Sequence, residues 1–139
     1  MSSVEVYKEL DDFFRSMRQA YNSRDIKLFR SHFWTDKRFV HLDASGRTDQ
    51  GWGAYEEVLD QEFRYLDKVQ LELKNLGFQV FDDQFAFVTG DWKTTQVDPG
   101  GREVEQSGRA SFAVVRIHDD WKIVNQHFSL AVEGANGEA

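Results

Sequence analysis

The chain has 139 residues, of which 17 are lysine or arginine and 24 are aspartate or glutamate, so its formal charge is -7. This length accommodates about one domain. The acidic balance disfavours nucleic acid and anionic lipid as partners, because both require a basic surface. The chain has no cysteine, which excludes disulfides, thiolate nucleophiles and cysteine-ligated metals.

Uninterrupted apolar stretches are short. Residues 85–88 and 112–115 are examples, and both are far below the ~20 residues that a membrane helix requires. Residues 1–10 lack the basic-then-apolar pattern of a secretory signal. We therefore expect a soluble, cytoplasmic protein with no membrane partner.

The first part of the chain has helical periodicity. Between residues 6 and 21 the apolar side chains recur in steps of three and four, which predicts one amphipathic helix. Asn22, Ser23 and Arg24 end it. A second short helix is predicted from Asp25 to about Phe33, with Asp25 at the positive end of the helix dipole.

A strand and a third helix follow. Residues 38–43 alternate and predict a short strand, closed by a turn at residues 44–47. The third helix is predicted to begin after Thr48 or Asp49 as its cap. Its apolar stripe consists of Trp52, Tyr55, Leu59, Phe63 and Leu66.

Residues 69–132 predict four long strands, because turn signals divide this segment at residues 82–83, 98–101 and 118–120. Turns this short join antiparallel neighbours. Residues 85–88 and 112–115 are apolar on both strand faces. This pattern indicates that helices cover one face of the sheet and that a second subunit covers the other.

Particular residues carry a family resemblance. They are the segment Tyr21-Asn22-Ser23-Arg24-Asp25, the segment Phe33-Trp34-Thr35-Asp36, the glycines Gly46 and Gly51, and the closing pattern W-x-I-V-x-x-H-x-S over residues 121–129. With the order of elements above, the chain resembles the NTF2-like superfamily, which includes ketosteroid isomerase and the SnoaL-like and DUF4440-type domains.

The resemblance implies an α+β fold of the order α-α-β-α-β-β-β-β, a cone in which three N-terminal helices pack on a curved, mainly antiparallel sheet. It would form a single domain over residues 1–133, followed by a disordered tail at 134–139. The family fold also implies an open-ended, mostly apolar cavity and a homodimer formed through the outer sheet face.

Two strands carry candidate catalytic residues. The period of two places His41 and Asp43 on one face of the first strand, and Asn125 and His127 on one face of the last. If both faces point inward, His41, Asp43 and His127 can exchange protons with a ligand. The alternative is that the histidines are half-buried and hydrogen-bonded without any chemistry.

The same trio has the composition of a metal site with two histidines and one carboxylate. No tight local spacing such as H-E-x-x-H accompanies it. We therefore predict no metal and no other cofactor.

Further residues are candidates for the cavity wall. Arg109 is predicted to point inward, where it would pair with an internal aspartate or bind a ligand carboxylate. Tyr21 is a candidate hydrogen-bond donor, or else part of the interface between helices. Large aromatic side chains either line the cavity or pack in the core, and these are Trp34, Trp52, Tyr55 and Trp92.

The isomerases of the resembling family combine an aspartate base, a tyrosine and a protonated carboxylic acid. The corresponding positions fall at His41, near Met17, and near Phe112 or Ala113. Met17 and the two apolar positions supply no donor. Steroid-type isomerisation is therefore not expected.

The leading hypothesis is a protein that binds a small apolar or aromatic ligand, and the residues leave open whether it turns the ligand over. An enzyme of this kind would transfer protons without a cofactor on a polycyclic or aromatic substrate, as in isomerisation, cyclisation or dehydration. His41 or Asp43 would be the base, and His127 or Asn125 would polarise a carbonyl.

The alternative is a non-catalytic, dimeric assembly or regulatory module that uses the outer sheet face. The size of the cavity discriminates, because small-molecule sites usually exceed ~300 Å³. A filled interior would favour the module.

Overall fold

The computed structural model describes residues 3–132. Three helices and six strands follow one another in this range: α1 (Ser3–Asn22), α2 (Ile26–Arg30), β1 (Val40–Leu42), β2 (Thr48–Gln50), α3 (Trp52–Tyr65), β3 (Lys68–Phe81), β4 (Phe85–Val97), β5 (Glu103–Ile117) and β6 (Asp120–Leu130). The predicted α+β class with N-terminal helices is confirmed. The predicted disordered tail, residues 134–139, lies outside the described residues. No helix in the described range is long and apolar enough to cross a membrane.

The strands form one curved, unclosed sheet in the order β2-β1-β6-β5-β4-β3. Strand β1 pairs in parallel with β6, and every other pairing is antiparallel. The parallel pairing places His41 beside Gln126, 85 residues away in sequence. Two distant segments of the chain therefore meet at one position of the sheet.

Helix α2 is shorter than predicted. Asp25 caps it by accepting a hydrogen bond from the Leu28 amide at 3.0 Å. The helix ends at Arg30, before Phe33, which instead forms an isolated parallel bridge with Ile123 of β6. Tertiary pairing with the sheet thus replaces the last predicted turn of the helix.

Strand β2 was not predicted from the sequence. The sequence predicts Thr48 or Asp49 as the cap of the third helix, but residues 48–50 pair with β1 across the turn. Helix α3 begins only after Gly51, whose φ of 89° lies in the left-handed region. A Cβ at Gly51 would lie 3.2 Å from the carbonyl oxygen of Lys37, so the backbone conformation and the lack of space both favour glycine.

The apolar faces of α1 and α3 pack on the concave face of the sheet. At one end of this interior, which we call the packed end, side chains from α1, β4, β5 and β6 exclude solvent almost completely. Its members are Val6, Leu10, Phe14, Ala86, Val88, Phe112, Val114 and Ile123. The Phe14 and Phe112 rings lie 4.9 Å apart there, within the range of favourable aromatic contacts.

A register shift in β6 decides which of its side chains point inward. Val114 pairs with Ile123 and Ala113 pairs with Asn125, so Val124 is an extra residue. A one-residue shift exchanges the two faces of a strand. Ile123 therefore points inward before the shift, and Gln126 and Phe128 point inward after it.

Candidate functional site

The opposite end of the interior, which we call the hollow end, encloses a cavity of about 180 Å³ between α1, α3 and the sheet. This volume is below the ~300 Å³ expected of an ordinary small-molecule site, yet the interior is not filled. The β1–β2 turn, residues 44–47, contributes exposed side chains to the cavity lining. Aromatic rings supply much of the wall, namely Tyr21, Phe29, Tyr55, Trp92 and Phe128.

His41 of β1 is the buried polar centre of the cavity wall, with 4% of its surface exposed. Its ring stacks on Tyr55 at a centroid distance of 4.2 Å. The Gln126 amide nitrogen donates a hydrogen bond to Nδ1 at 2.8 Å, and Nε2 lies 3.1 Å from Oδ1 of Asp43. Since Nδ1 accepts and Nε2 donates, this arrangement corresponds to the imidazole tautomer with its proton on Nε2.

Asp43 is held as a carboxylate. It accepts hydrogen bonds from His41 and from the Ser45 amide and hydroxyl, and Arg47 lies 3.5 Å away. The hydrogen bond from His41, followed by those from Ser45, keeps the pKa of Asp43 well below its usual range, against the opposing effect of burial. Asp43 is therefore suited to orienting His41 and poorly suited to taking up a proton itself.

Arg47 connects the turn to the unpredicted strand β2. Its guanidinium binds both carboxylate oxygens of Asp49, with contacts of 3.0 Å from Nε and from Nη2. Asp49 is only 5% exposed, and this pairing compensates its buried charge. The pair fixes the turn that holds Asp43.

The two tyrosines of the cavity remain phenols. Burial raises the pKa of Tyr21, and burial also raises the pKa of Tyr55 well above its ordinary value. Hydrogen bonds with Gln96 and Gln126, respectively, oppose these shifts. Both side chains can therefore donate hydrogen bonds to a ligand.

Glu62 is a second carboxyl group in the cavity wall, and the sequence analysis did not identify it. Burial raises its pKa, and the nearby charge of Asp43 raises it further, while the charge of Arg47 opposes these shifts. Among residues 3–132 no hydrogen bond or ion pair engages its side chain. Glu62 lies seven positions after Tyr55 and three after Leu59 on α3, so helical periodicity could have placed it on the inner face.

The predicted inward positions of three polar residues are wrong. After the register shift in β6, Asn125 and His127 point outward and are exposed. Arg109 is also exposed on the outer face, because Ala110 and Phe112 are the buried positions of β5. His41 and His127 therefore lie on opposite sides of the sheet.

The predicted aromatic residues divide into two groups. Tyr21, Tyr55 and Trp92 line the cavity. Trp34 and Trp52 do not: the Trp34 ring lies 4.7 Å below the Arg38 guanidinium, outside the cavity, and Trp52 packs in the core. The indole nitrogen of Trp52 donates to Glu56 at 3.2 Å.

Gln126 and Phe128 are two further cavity residues that the sequence analysis did not identify. Both follow the extra residue Val124, and the alternation of the sequence carries no signal for that shift. The structure also separates the supposed metal ligands, since His41 and Asp43 lie inside and His127 lies outside. Within the described residues no three histidine, aspartate or glutamate side chains converge as a metal site.

A profile of the SnoaL-like domain family matches residues 10–133. The chain belongs to this family. Among the solved structures that share this fold is an NTF2-like superfamily protein from Salmonella enterica. Its sequence is 21% identical to this chain over 99% of both chains, and the TM-score is 0.85. No curated protein matches the SnoaL-like chain in sequence.

Two further structures share the fold. A Streptomyces avermitilis protein provisionally named a dehydratase of the NTF2-like family has 16% identity over 94% of this chain and 99% of its own, with a TM-score of 0.84. A Novosphingobium aromaticivorans protein provisionally named a scytalone dehydratase has 12% identity over 91% of this chain and 84% of its own, with a TM-score of 0.82. At these identities the likeness establishes the SnoaL-like fold alone.

Proposed function

We propose that this SnoaL-like protein binds a small ligand of one or two rings at the hollow end and transfers a proton on it without a cofactor, as in a dehydration or isomerisation. The observation that carries the proposal is the buried His41, oriented by Asp43 at 3.1 Å and stacked on Tyr55 in the cavity wall. A cavity of about 180 Å³ favours a ligand of one or two rings over the larger polycyclic substrates considered from sequence.

His41 is the proposed base. A proton taken from a ligand C–H would enter at Nδ1, because Asp43 occupies Nε2, and this requires the ligand to displace the Gln126 amide from Nδ1. The Asp43 carboxylate, which accepts from Nε2, would then stabilise the imidazolium. Tyr21 and Tyr55, as neutral phenols, would donate hydrogen bonds to the oxygen on which negative charge develops.

The dehydratase names of two fold neighbours agree with this chemistry. Dehydration of a β-hydroxy ketone needs a base for the α-proton and donors for the enolate oxygen, and the proton that the base has taken then passes to the departing hydroxyl group, which leaves as water. The wall of the cavity supplies both kinds of group.

Ring opening of 5-nitrobenzisoxazole tests the base without knowledge of the natural substrate. The base removes the ring C–H proton, the N–O bond breaks, and a coloured phenolate forms. We expect the protein to accelerate this reaction and His41→Ala to lower the rate by about 100-fold or more. The measurement is the absorbance of the phenolate at neutral pH, with circular dichroism to verify folding.

His127→Ala is the matched control, since it removes an imidazole from the outer face of the same sheet. Its rate should equal that of the unchanged protein. Equal rates for the unchanged protein and the folded His41→Ala variant would contradict the role of His41. Mass spectrometry of any small molecule that co-purifies would identify the ligand.

A second candidate function, a dimeric module, is favoured by one feature of the outer face. Phe81 and Phe87 are 52% and 46% exposed and form an aromatic cluster with Phe85. Such a patch can bury itself against a second copy. Light scattering at micromolar concentration tests whether the protein is a dimer, and a monomer would contradict the dimeric module. If the protein is a dimer, Phe87→Ser should shift it towards the monomer.

A further inference from the structure

The charged side chains that line the hollow end are mainly acidic. Asp43 and Glu62 both line the cavity, and Arg47 is the only lysine or arginine among its described lining residues. The guanidinium of Arg47 is already bound by both oxygens of Asp49 and lies 3.5 Å from Asp43. The wall therefore offers two carboxyl groups and no uncommitted cation to a ligand.

The two carboxyl groups differ in what they already bind. Asp43 is saturated by His41, Ser45 and Arg47. No hydrogen bond or ion pair within residues 3–132 engages the side chain of Glu62, although this residue is half-buried. A carboxylate partly removed from water without a partner costs free energy, and a ligand cation would offset that cost.

The remaining wall suits a cation as well. Aromatic side chains line the cavity from several elements, from Tyr21 on α1 to Tyr55 on α3 and Trp92 on β4. The negative face of an aromatic ring attracts a positive charge. An anionic ligand would meet the same rings and both carboxyl groups, and it would find no free guanidinium.

We propose that the ligand is a small ring compound bearing an amino group that is protonated at neutral pH, with Glu62 as its counter-ion. This inference rests on the proposed function and narrows its ligand class. Glu62 then anchors the ammonium group, and His41 remains available for proton transfer elsewhere on the ligand.

Titration calorimetry with benzylamine, benzyl alcohol and benzoate tests the proposal, because the three probes share a ring and differ in charge. We expect benzylamine to bind at least about tenfold more tightly than benzyl alcohol, and benzoate to bind most weakly. In Glu62→Gln the preference for benzylamine should disappear while benzyl alcohol keeps its affinity. Glu57→Gln removes the same charge from an exposed position of α3 and should leave the preference intact.

The outcomes separate this proposal from the one on which it rests. Benzoate binding as tightly as benzylamine, or an amine preference that survives in Glu62→Gln, overturns the ligand class and leaves the cavity as a binding site. Absence of binding by all three probes overturns the ligand class and the cavity as their site together. Ring opening of 5-nitrobenzisoxazole reports separately on His41 as a base.

Discussion

The packed end and the hollow end of the interior share α1, β4, β5 and β6 and differ in what these elements contribute. At the packed end, α1 supplies Leu10 and Phe14, and the sheet supplies Phe112 and Ile123, all at most 1% exposed. At the hollow end the same helix supplies Met17 and Tyr21, and β6 supplies Gln126 and Phe128 around a cavity of about 180 Å³. One end holds the fold together, and the other carries the polar groups.

The difference shows which part of the molecule contains groups that lower its stability. The hollow end holds a half-buried carboxyl group, Glu62, that makes no hydrogen bond or ion pair within residues 3–132. It also holds a buried polar chain that runs from Tyr55 through Gln126 to His41. Buried polar groups of this kind stabilise a fold only when each is satisfied. Such exceptions concentrate where ligands bind, and four substitutions with one control measure the difference between the two ends.

Phe14→Ala and Phe128→Ala compare the same change at the two ends. Phe14 is 1% exposed and contacts Phe112, so its loss should lower the free energy of unfolding by about 3–5 kcal/mol. Phe128 already faces the cavity and is only partly buried, so its loss should cost roughly half as much. Urea denaturation followed by circular dichroism measures both, and an equal or larger cost for Phe128→Ala would contradict the division into two ends.

Asp43→Asn removes the carboxylate that His41, Ser45 and Arg47 share. We expect a loss of about 1–3 kcal/mol at pH 7, because hydrogen bonds to a charged group are lost. The folded pKa of Asp43 is lowered, so its stabilisation is present above the unfolded pKa of about 3.9 and is lost as the pH falls towards the folded pKa. The difference in urea midpoint between the variant and the unchanged protein should therefore narrow at pH 3.

Asp12→Asn is the control for this comparison, since Asp12 lies on the exposed face of α1. It should change stability by less than about 0.5 kcal/mol at either pH. If the difference in urea midpoint between Asp43→Asn and the unchanged protein stayed constant between pH 7 and pH 3, the result would contradict the carboxylate as the source of the stabilisation.

Of the four test substitutions, Glu62→Gln should change the free energy of unfolding least, and it should increase that free energy where the others decrease it. The folded pKa of Glu62 is raised, so stability is lost as the pH rises from the unfolded pKa of about 4.3 through the folded pKa. The variant avoids this loss and should be more stable at pH 7, by less than about 1 kcal/mol after screening by solvent. Thermal unfolding should show the gain at pH 7 and its disappearance at pH 4 or below; a destabilised variant at pH 7 would show that Glu62 has a partner that offsets its burial.

The sequence by itself determined the α+β class, three helices, the three turns that separate β3, β4, β5 and β6, and a position for His41 on a strand face. Periodicity is a local property, because the inward positions of Phe14 and Tyr55 follow from the spacing of apolar residues within their own helices. The family resemblance rested on the same local order of elements and on the closing pattern of residues 121–129.

Only the tertiary structure decided which polar groups meet. The extra residue at Val124 turns Gln126 inward and His127 outward, and the parallel pairing of β1 with β6 sets Gln126 against His41. The short strand β2 places Asp49 where it holds Arg47. A register shift and a pairing between distant strands depend on contacts with the rest of the sheet, which a pattern along one strand does not contain.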